Sequence, residues 1–261
     1  MELSNIAEFI FDFEKPIVCT AIHNGHFVSE KIKKKLAISE ETQLREEDPF
    51  TEIFADSCGN KIIGRISRFE IDLNRSRAEA IYLKPADAWN LKVRKKPLTK
   101  SEIETSLKKY DLFYTETKKY LQKMKEKFGT FFVYDIHSYN YLRNGENAAP
   151  ADPKQNPDII LGTNNMPEKW LPLILQIQQD LKNYDFYGKQ LDVRINVKFS
   201  GGNFSRWIHR NFPNSACCVA IEFKKIFMNE WSGELYEEKI LKLREALQST
   251  FRNIEKKLKS G

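Results

Sequence analysis

Few residues in this 261-residue chain could do metal or acid–base chemistry near neutral pH, and their spacing is informative. It has four histidines: His23, His26, His137 and His209. His137 stands in Phe-Phe-Val-Tyr-Asp-Ile-His-Ser-Tyr-Asn, residues 131–140. The β-branched and aromatic start of that run favours a buried strand. Its polar end does not: Asp135, His137, Ser138 and Asn140 are poor packing residues. On a strand, Asp135 and His137 lie two apart and project from one face, so the carboxylate can orient the imidazole toward a metal. A histidine that only caps the strand and bonds nearby backbone fits the same pattern. His23 ends a second apolar run, Pro-Ile-Val-Cys-Thr-Ala-Ile at 16–22. Catalytic zinc takes three protein ligands, often two imidazoles and a carboxylate, and keeps one position open. His23 and His137 supply the imidazoles, and the acidic knot Glu46-Glu47-Asp48 can supply the carboxylate or simply pair with lysines. His26 suits a supporting or substrate-facing role, and His209 a place on the surface.

Two further groups carry chemistry. Asp72-Leu73-Asn74-Arg75 follows a predicted strand, and a guanidinium beside an amide makes a fork suited to a carboxylate. Arg68 and Arg77 are possible helpers, and a salt bridge from Arg75 to one of the many carboxylates is the plainer reading. Glu222 interrupts an otherwise apolar strand, Val-Ala-Ile-Glu-Phe. Burial of a lone carboxylate costs several kcal/mol unless it is paired or protonated. It also raises the pKa toward the range of a general base. Pairing with Lys224, Lys225 or Arg206 is the alternative.

The elements that must position these residues alternate along the chain. Strands are expected at 16–22, 61–67, 131–140, 157–162, 191–199 and 216–223. Helices are expected at 28–36, 101–128, 167–183 and 235–258, with a turn of helix at 51–55. Ser101 and Glu104 fit a capping box, and Gly129 stops the long helix. Residues 144–156, rich in Gly, Pro, Asn and Ala, read as a long active-site loop, and 200–203 break the strand before them. Gly201-Gly202 would let backbone approach a ligand, or mark a bend. Strand–helix alternation without a repeat or linker indicates an α/β fold in a single domain, 1–261, with a mixed, mostly parallel sheet flanked by helices and a site at its carboxyl edge.

Composition limits the alternatives. At 41% hydrophobic and 30% charged residues, the chain can bury a full core and stay soluble. No apolar run is long enough to span a bilayer, and the first fifteen residues lack a basic leader before an apolar core, so a cytoplasmic protein is expected. Cys19, Cys58, Cys217 and Cys218 have neither metal nor disulfide spacing and read as reduced, structural residues. The net charge of +6 comes from lysine clusters that look like solvated helix faces. No nucleic-acid motif accompanies them, so neither nucleic acid nor membrane is an expected partner.

Several motifs taken together resemble the N-formylglutamate amidohydrolase family. They are Ala-Ile-His23-Asn-Gly-His26, Arg-Glu-Glu47-Asp48-Pro, Arg68-Phe-Glu-Ile-Asp72-Leu-Asn74-Arg75, Asp135-Ile-His137-Ser-Tyr, Pro157-Asp158-Ile-Ile-Leu-Gly-Thr163, Phe199-Ser-Gly-Gly202 and Ile-Glu222-Phe-Lys-Lys-Ile-Phe-Met-Asn-Glu230. They span nearly the whole chain, in order. The resemblance implies a fold similar to zinc carboxypeptidases and aspartoacylase, and one zinc ion held by His23, His137 and a carboxylate, Asp48 rather than Glu47. The wider group places its acidic ligand three residues after the first histidine, where this chain has His26, so the carboxylate must come from elsewhere. The resemblance further implies Glu222 as the base and Asn74 and Arg75 on a substrate carboxylate; a nearby guanidinium, Arg68 or Arg206, is expected beside the tetrahedral oxyanion. The implied reaction is hydrolysis of an N-acyl, most simply N-formyl, amino acid such as N-formyl-L-glutamate. A carboxypeptidase acting on a peptide or modified amino acid shares these parts. A basic, non-catalytic binding protein is the rival from another class.

Overall fold

The computed structural model describes residues 2–259. The expectation of one unit over 1–261 is therefore read on these, with Met1, Ser260 and Gly261 outside the described residues. The strands are β1 (Ala7–Phe11), β2 (Ile17–Ala21), β3 (Asn60–Gly64), β4 (Phe131–Tyr139), β5 (Ile159–Gly162), β6 (Asp185–Phe186), β7 (Lys189–Gln190), β8 (Val193–Ile195) and β9 (Ala216–Lys224). The α-helices are α1 (Glu30–Lys33), α2 (Glu40–Glu46), α3 (Thr51–Ala55), α4 (Lys100–Phe128), α5 (Leu171–Asn183), α6 (Asn203–Asn211), α7 (Glu237–Ser249) and α8 (Phe251–Lys259).

Seven strands form one sheet in the order β1-β3-β2-β4-β9-β5-β8. The central four, β3, β2, β4 and β9, run parallel, while β1 joins β3 and β5 joins β9 antiparallel. This is a single α/β domain with a mixed, mostly parallel sheet between helices. The middle strands read as unbroken apolar runs because both faces are covered. One face packs Ile17, Cys19, Phe132, Tyr134, Cys217 and Val219 against α3, α5, α7 and α8. The other packs Val18, Phe131, Val133, Ala216 and Cys218 against α4 and α6. Because side chains alternate, Asp135 and His137 share the second face with Phe131 and Val133. In the β4–β9 register His137 stands beside Glu222 and Asp135 beside Ala220, so a small neighbour makes room for the buried acid. Each fully buried large apolar side chain contributes about 1.5–3 kcal/mol, enough collectively to offset the several kcal/mol lost by burying polar groups on the same strand.

Local departures have local causes. The expected helix at 28–36 shrinks to α1, and the expected strand at 191–199 to β8. The helix expected at 235–258 is two helices, broken at Thr250. That buried residue turns its Oγ1 to Leu247 O at 2.7 Å and to the Tyr134 hydroxyl at 2.6 Å. The cap of α4 is Thr99 with Glu102 rather than Ser101 with Glu104: the Thr99 amide donates to Glu102 Oε2 at 2.6 Å, and Thr99 Oγ1 accepts from the Glu102 amide at 3.3 Å. The edge strand β1 was not among the expected elements. Its alternation of buried and exposed residues is short and carries Glu8. All four cysteines are buried and free. No helix among the described residues is long and apolar enough to cross a membrane.

Candidate active site

Because β2, β3, β4 and β9 are parallel, their carboxyl ends share one edge of the sheet, and the polar residues ending them meet there. His23 lies two residues beyond β2, His137 near the end of β4, and Asp48 on the loop after α2. All three are buried. Asp48 Oδ2 is 2.9 Å from His137 Nδ1 and 3.5 Å from His23 Nδ1. One ligand atom from each of these residues lies within 4.8 Å of the others. The opposite ring nitrogens are tied to buried carboxylates: His23 Nε2 to Asp72 Oδ1 at 2.7 Å, and His137 Nε2 to Asp135 Oδ1 at 3.1 Å. A ring whose Nε2–H donates to a carboxylate presents its Nδ1 lone pair, which is the state a metal requires. Ligands in a tetrahedral zinc site with ~2.0–2.1 Å bonds stand about 3.4 Å apart, a spacing that the two measured distances bracket. The donor set therefore fits a divalent ion of the zinc type.

In the metal-free site the same contacts set the protonation, and a metal would displace the His137 Nδ1 proton. Burial alone would raise the Asp48 carboxyl, but its bonds to His137 and His23 outweigh that and hold it below the usual range. Burial likewise opposes ionisation of Asp72, yet His23 and Arg68 keep it well below its ordinary value. Burial would lower His137, and Asp135 with Asp48 reverses the sign, leaving it well above 6.5. Asp135 Oδ2 has no hydrogen-bond partner.

Glu222 faces the same point from β9. Burial pushes its carboxyl up to about 7, with Asp48 and Asp135 adding to the rise against the lowering effect of His137. Its expected cationic partners are engaged elsewhere. Lys224 pairs with Asp158 at 2.6 Å, Lys225 bonds backbone carbonyls, and Arg206 is exposed on α6. These groups open into a cavity of about 240 Å³ whose wall includes His23, Asp48, His137, Glu222, Asn74 and Arg75.

A model of the N-formylglutamate amidohydrolase family matches residues 15–228. The chain belongs to that family. It is accordingly an amidohydrolase, a hydrolase acting on an amide bond. No curated protein matches the chain. Among solved structures it is similar to an N-formylglutamate amidohydrolase from Ralstonia eutropha JMP134, with a TM-score of 0.75 and 18% identity over 98% of this chain and 99% of that one. It is also similar to a gene product of Agrobacterium tumefaciens, with a TM-score of 0.65 and 16% identity over 97% of each chain. At these identities the likeness is one of fold. A metallo-carboxypeptidase from Burkholderia cenocepacia aligns with a TM-score of 0.34 and 11% identity, over 90% of this chain and 55% of that one, too low to carry an argument.

In this family member the segment after β3 builds the other wall. Arg68 donates to Asp72 Oδ2 at 3.2 Å, to Glu46 O at 3.3 Å and to the Tyr82 hydroxyl at 3.3 Å. Its guanidinium lies 4.8 Å from the Trp89 ring centroid. Arg68 thus serves Asp72, and through it His23. Arg75 is freer: its side chain is 39% exposed, with one bond to Asp87 O at 3.3 Å and Asp72 Oδ2 at 3.9 Å. Asn74 Oδ1 accepts from the Phe204 amide at 2.9 Å, which turns its Nδ2 toward His137, 3.3 Å from Nε2. Gly202 permits this, because a Cβ there would fall on the Asn74 amide. The space that Gly202 leaves is thus filled by Asn74, not left open for a ligand.

Four expectations are corrected. Arg206 does not line the cavity. Its exposed position on α6 points it away, and the further cavity arginine is Arg143. Residues 144–156 contribute nothing to the lining, which takes residues 137–140 and Arg143 from that part of the chain. His209 is buried rather than at the surface: Nε2 accepts from the Cys218 amide at 2.9 Å and Nδ1 meets Asn165 Oδ1 at 2.9 Å. Desolvation lowers its pKa to about 4, so it stays neutral. Arg77 pairs with Asp111 at 2.7 Å on the surface. Glu47 also turns away from Asp48 and meets His26, Gln43 and Ser67. That carboxylate raises His26 above its ordinary value, and His26 does not reach the imidazole pair. Sequence reasoning missed Tyr82, which bonds Asp72, and the role of Lys225. The signal for Lys225 was a lysine only three residues from Glu222, at the end of an apolar strand.

Proposed function

We propose that this chain is a zinc-dependent hydrolase that removes the acyl group, most simply formyl, from an N-acyl amino acid such as N-formyl-L-glutamate. The observation that carries this reading is the convergence of His23 and His137 on Asp48, each ring backed by its own buried carboxylate. A single zinc ion there, held by His23, Asp48 and His137, would supply a Lewis acid that acidifies water and polarises an amide carbonyl. Glu222, poised near neutrality, accepts the proton of the attacking water on its carboxylate and delivers it to the leaving nitrogen. Asp72 and Asp135 hold the two imidazoles in one tautomer and orientation. Arg75, with most of its donors unfilled, reads the substrate carboxylate, and the Asn74 amide, turned inward by the Phe204 N–H, helps to orient the substrate. Arg143 is a second half-exposed cation in the wall, 3.6 Å from Glu46. Tied to the site from inside, Arg68 acts through Asp72 rather than on the oxyanion.

The test is formate release by purified, zinc-loaded protein from N-formyl-L-glutamate, beside N-acetyl-L-glutamate, other N-formyl amino acids and a short peptide. Release from an N-formyl amino acid that disappears on chelation supports the proposal. Cleavage of the peptide alone would replace it with a carboxypeptidase. No metal-dependent hydrolysis of any of these would overturn it.

A further inference from the structure

His137 and Glu222 ride on adjacent strands of the sheet and His23 lies just beyond a third, whereas Asp48 comes from a loop after the seven-residue helix α2. Something must fix that loop against the sheet. The Asp48 amide bonds His23 O at 3.1 Å, and its carbonyl accepts from Thr51 Oγ1 at 2.6 Å. Upstream, the fastening is Lys225. This lysine is 1% exposed, and its Nζ donates to Arg45 O at 2.6 Å and Glu47 O at 2.7 Å, the carbonyls left open where α2 ends. A cation at a helix C-terminus meets both the unpaired carbonyls and the negative end of the helix dipole. At its own backbone, Lys225 donates to Tyr139 O at 3.0 Å. One residue therefore ties the end of β4, two residues past His137, to the residue before Asp48.

We propose that Lys225 is the positioning residue for Asp48, holding the acidic ligand between the two imidazoles without touching substrate. The alternative use of a lysine in the cavity wall, contact with a substrate anion, is disfavoured because two of its three donors are already spent on backbone. This inference rests on the metal site proposed above, and the experiment separates the two. Loss of such a second-tier contact typically weakens metal affinity by roughly 10–100-fold.

Zinc affinity is measured by chelator competition on metal-free wild type, Lys225→Met and Lys225→Gln, with melting temperatures and with Lys224→Met as the control. We expect zinc to bind Lys225→Met roughly 10–100-fold more weakly. Lys225→Gln, which can still donate to one carbonyl, should fall between, and Lys224→Met should match wild type. At saturating zinc, KM should return to the wild-type value. Unchanged zinc affinity in a folded Lys225→Met overturns the inference, as does a KM that stays raised at saturating zinc, which marks a substrate contact. If Lys225→Met fails to fold, the affinity of Lys225→Gln decides in the same way. A wild type with no zinc affinity overturns the metal reading itself, and this inference with it.

Discussion

Glu222→Gln makes the sharpest prediction, because one substitution should lower activity and raise stability. The residue keeps its size and loses only the ability to ionise. In the metal-free protein the Glu222 carboxyl titrates near 7 instead of 4.5. At 1.36 kcal/mol per pKa unit, that shift corresponds to at most about 3 kcal/mol. Between those two pH values the folded chain holds a proton that the unfolded chain has released, so stability falls as pH rises from 4.5 through 7. Glutamine removes this loss. Urea unfolding of metal-free protein at pH 8 should therefore show Glu222→Gln more stable than wild type by up to about 3 kcal/mol, with the difference vanishing near pH 4.5. The metal must be absent, since a bound dication would draw the carboxyl down. Activity should move the other way. A general base contributes about 10²–10⁴-fold, or roughly 3–5 kcal/mol of barrier. The assay is coupled formate release from zinc-loaded protein, with zinc content measured on the same sample. A variant that keeps full zinc and its rate within threefold would refute the base assignment. Equal stability of the two proteins at pH 8 would refute the raised carboxyl.

Three further outcomes are expected. Arg75→Ala should raise KM, with kcat little changed, because it removes a charge-assisted bond of about 1.5–3 kcal/mol made alike to substrate and transition state; a substrate amide lacking the carboxylate should be indifferent to the change, and equal losses on both would argue against the clamp. Gly202→Ala should displace the Asn74 amide and cut kcat/KM by up to ~100-fold, in a protein whose circular dichroism matches wild type; unchanged kinetics would show that Asn74 has no part in substrate placement. His209 titrates near 4 rather than 6.5, so wild type should lose up to about 3 kcal/mol of stability as pH falls from 6.5 to 4; that slope should be shallower in His209→Gln, as followed by urea unfolding at several pH values.

How much of this could be read from the residues depends on what each reading required. The second-face partnership of Asp135 and His137 needs only the two-residue period of a strand, and both ends of the argument lie within ten residues. Placing His23 beside them needs one more step, that two apolar runs end at the same sheet edge, which parallel pairing provides. The choice between Glu47 and Asp48 was harder because it depends on where α2 stops. Glu47 caps that helix in extended backbone, so it and Asp48 turn to opposite sides. Arg206 and Asn203 lie three apart on one helix, yet only the latter reaches the tyrosines of α4; a strand-break motif does not reveal the phase of the helix after it. His209 was misread because its partners, Cys218 and Asn165, are distant in sequence or unremarkable in type. Buried polar contacts of this kind, like Tyr82 on Asp72 ten residues away, join residues in different elements or loops, so no strand or helix period announces them.

The proposed chemistry depends on where a metal sits. Anomalous diffraction at the zinc edge, from a crystal of zinc-loaded protein, locates it directly. The predicted map has a single strong peak between the Nδ1 atoms of His23 and His137 and the carboxylate of Asp48, within reach of Glu222. An empty map there, or a peak held by other residues, would contradict it.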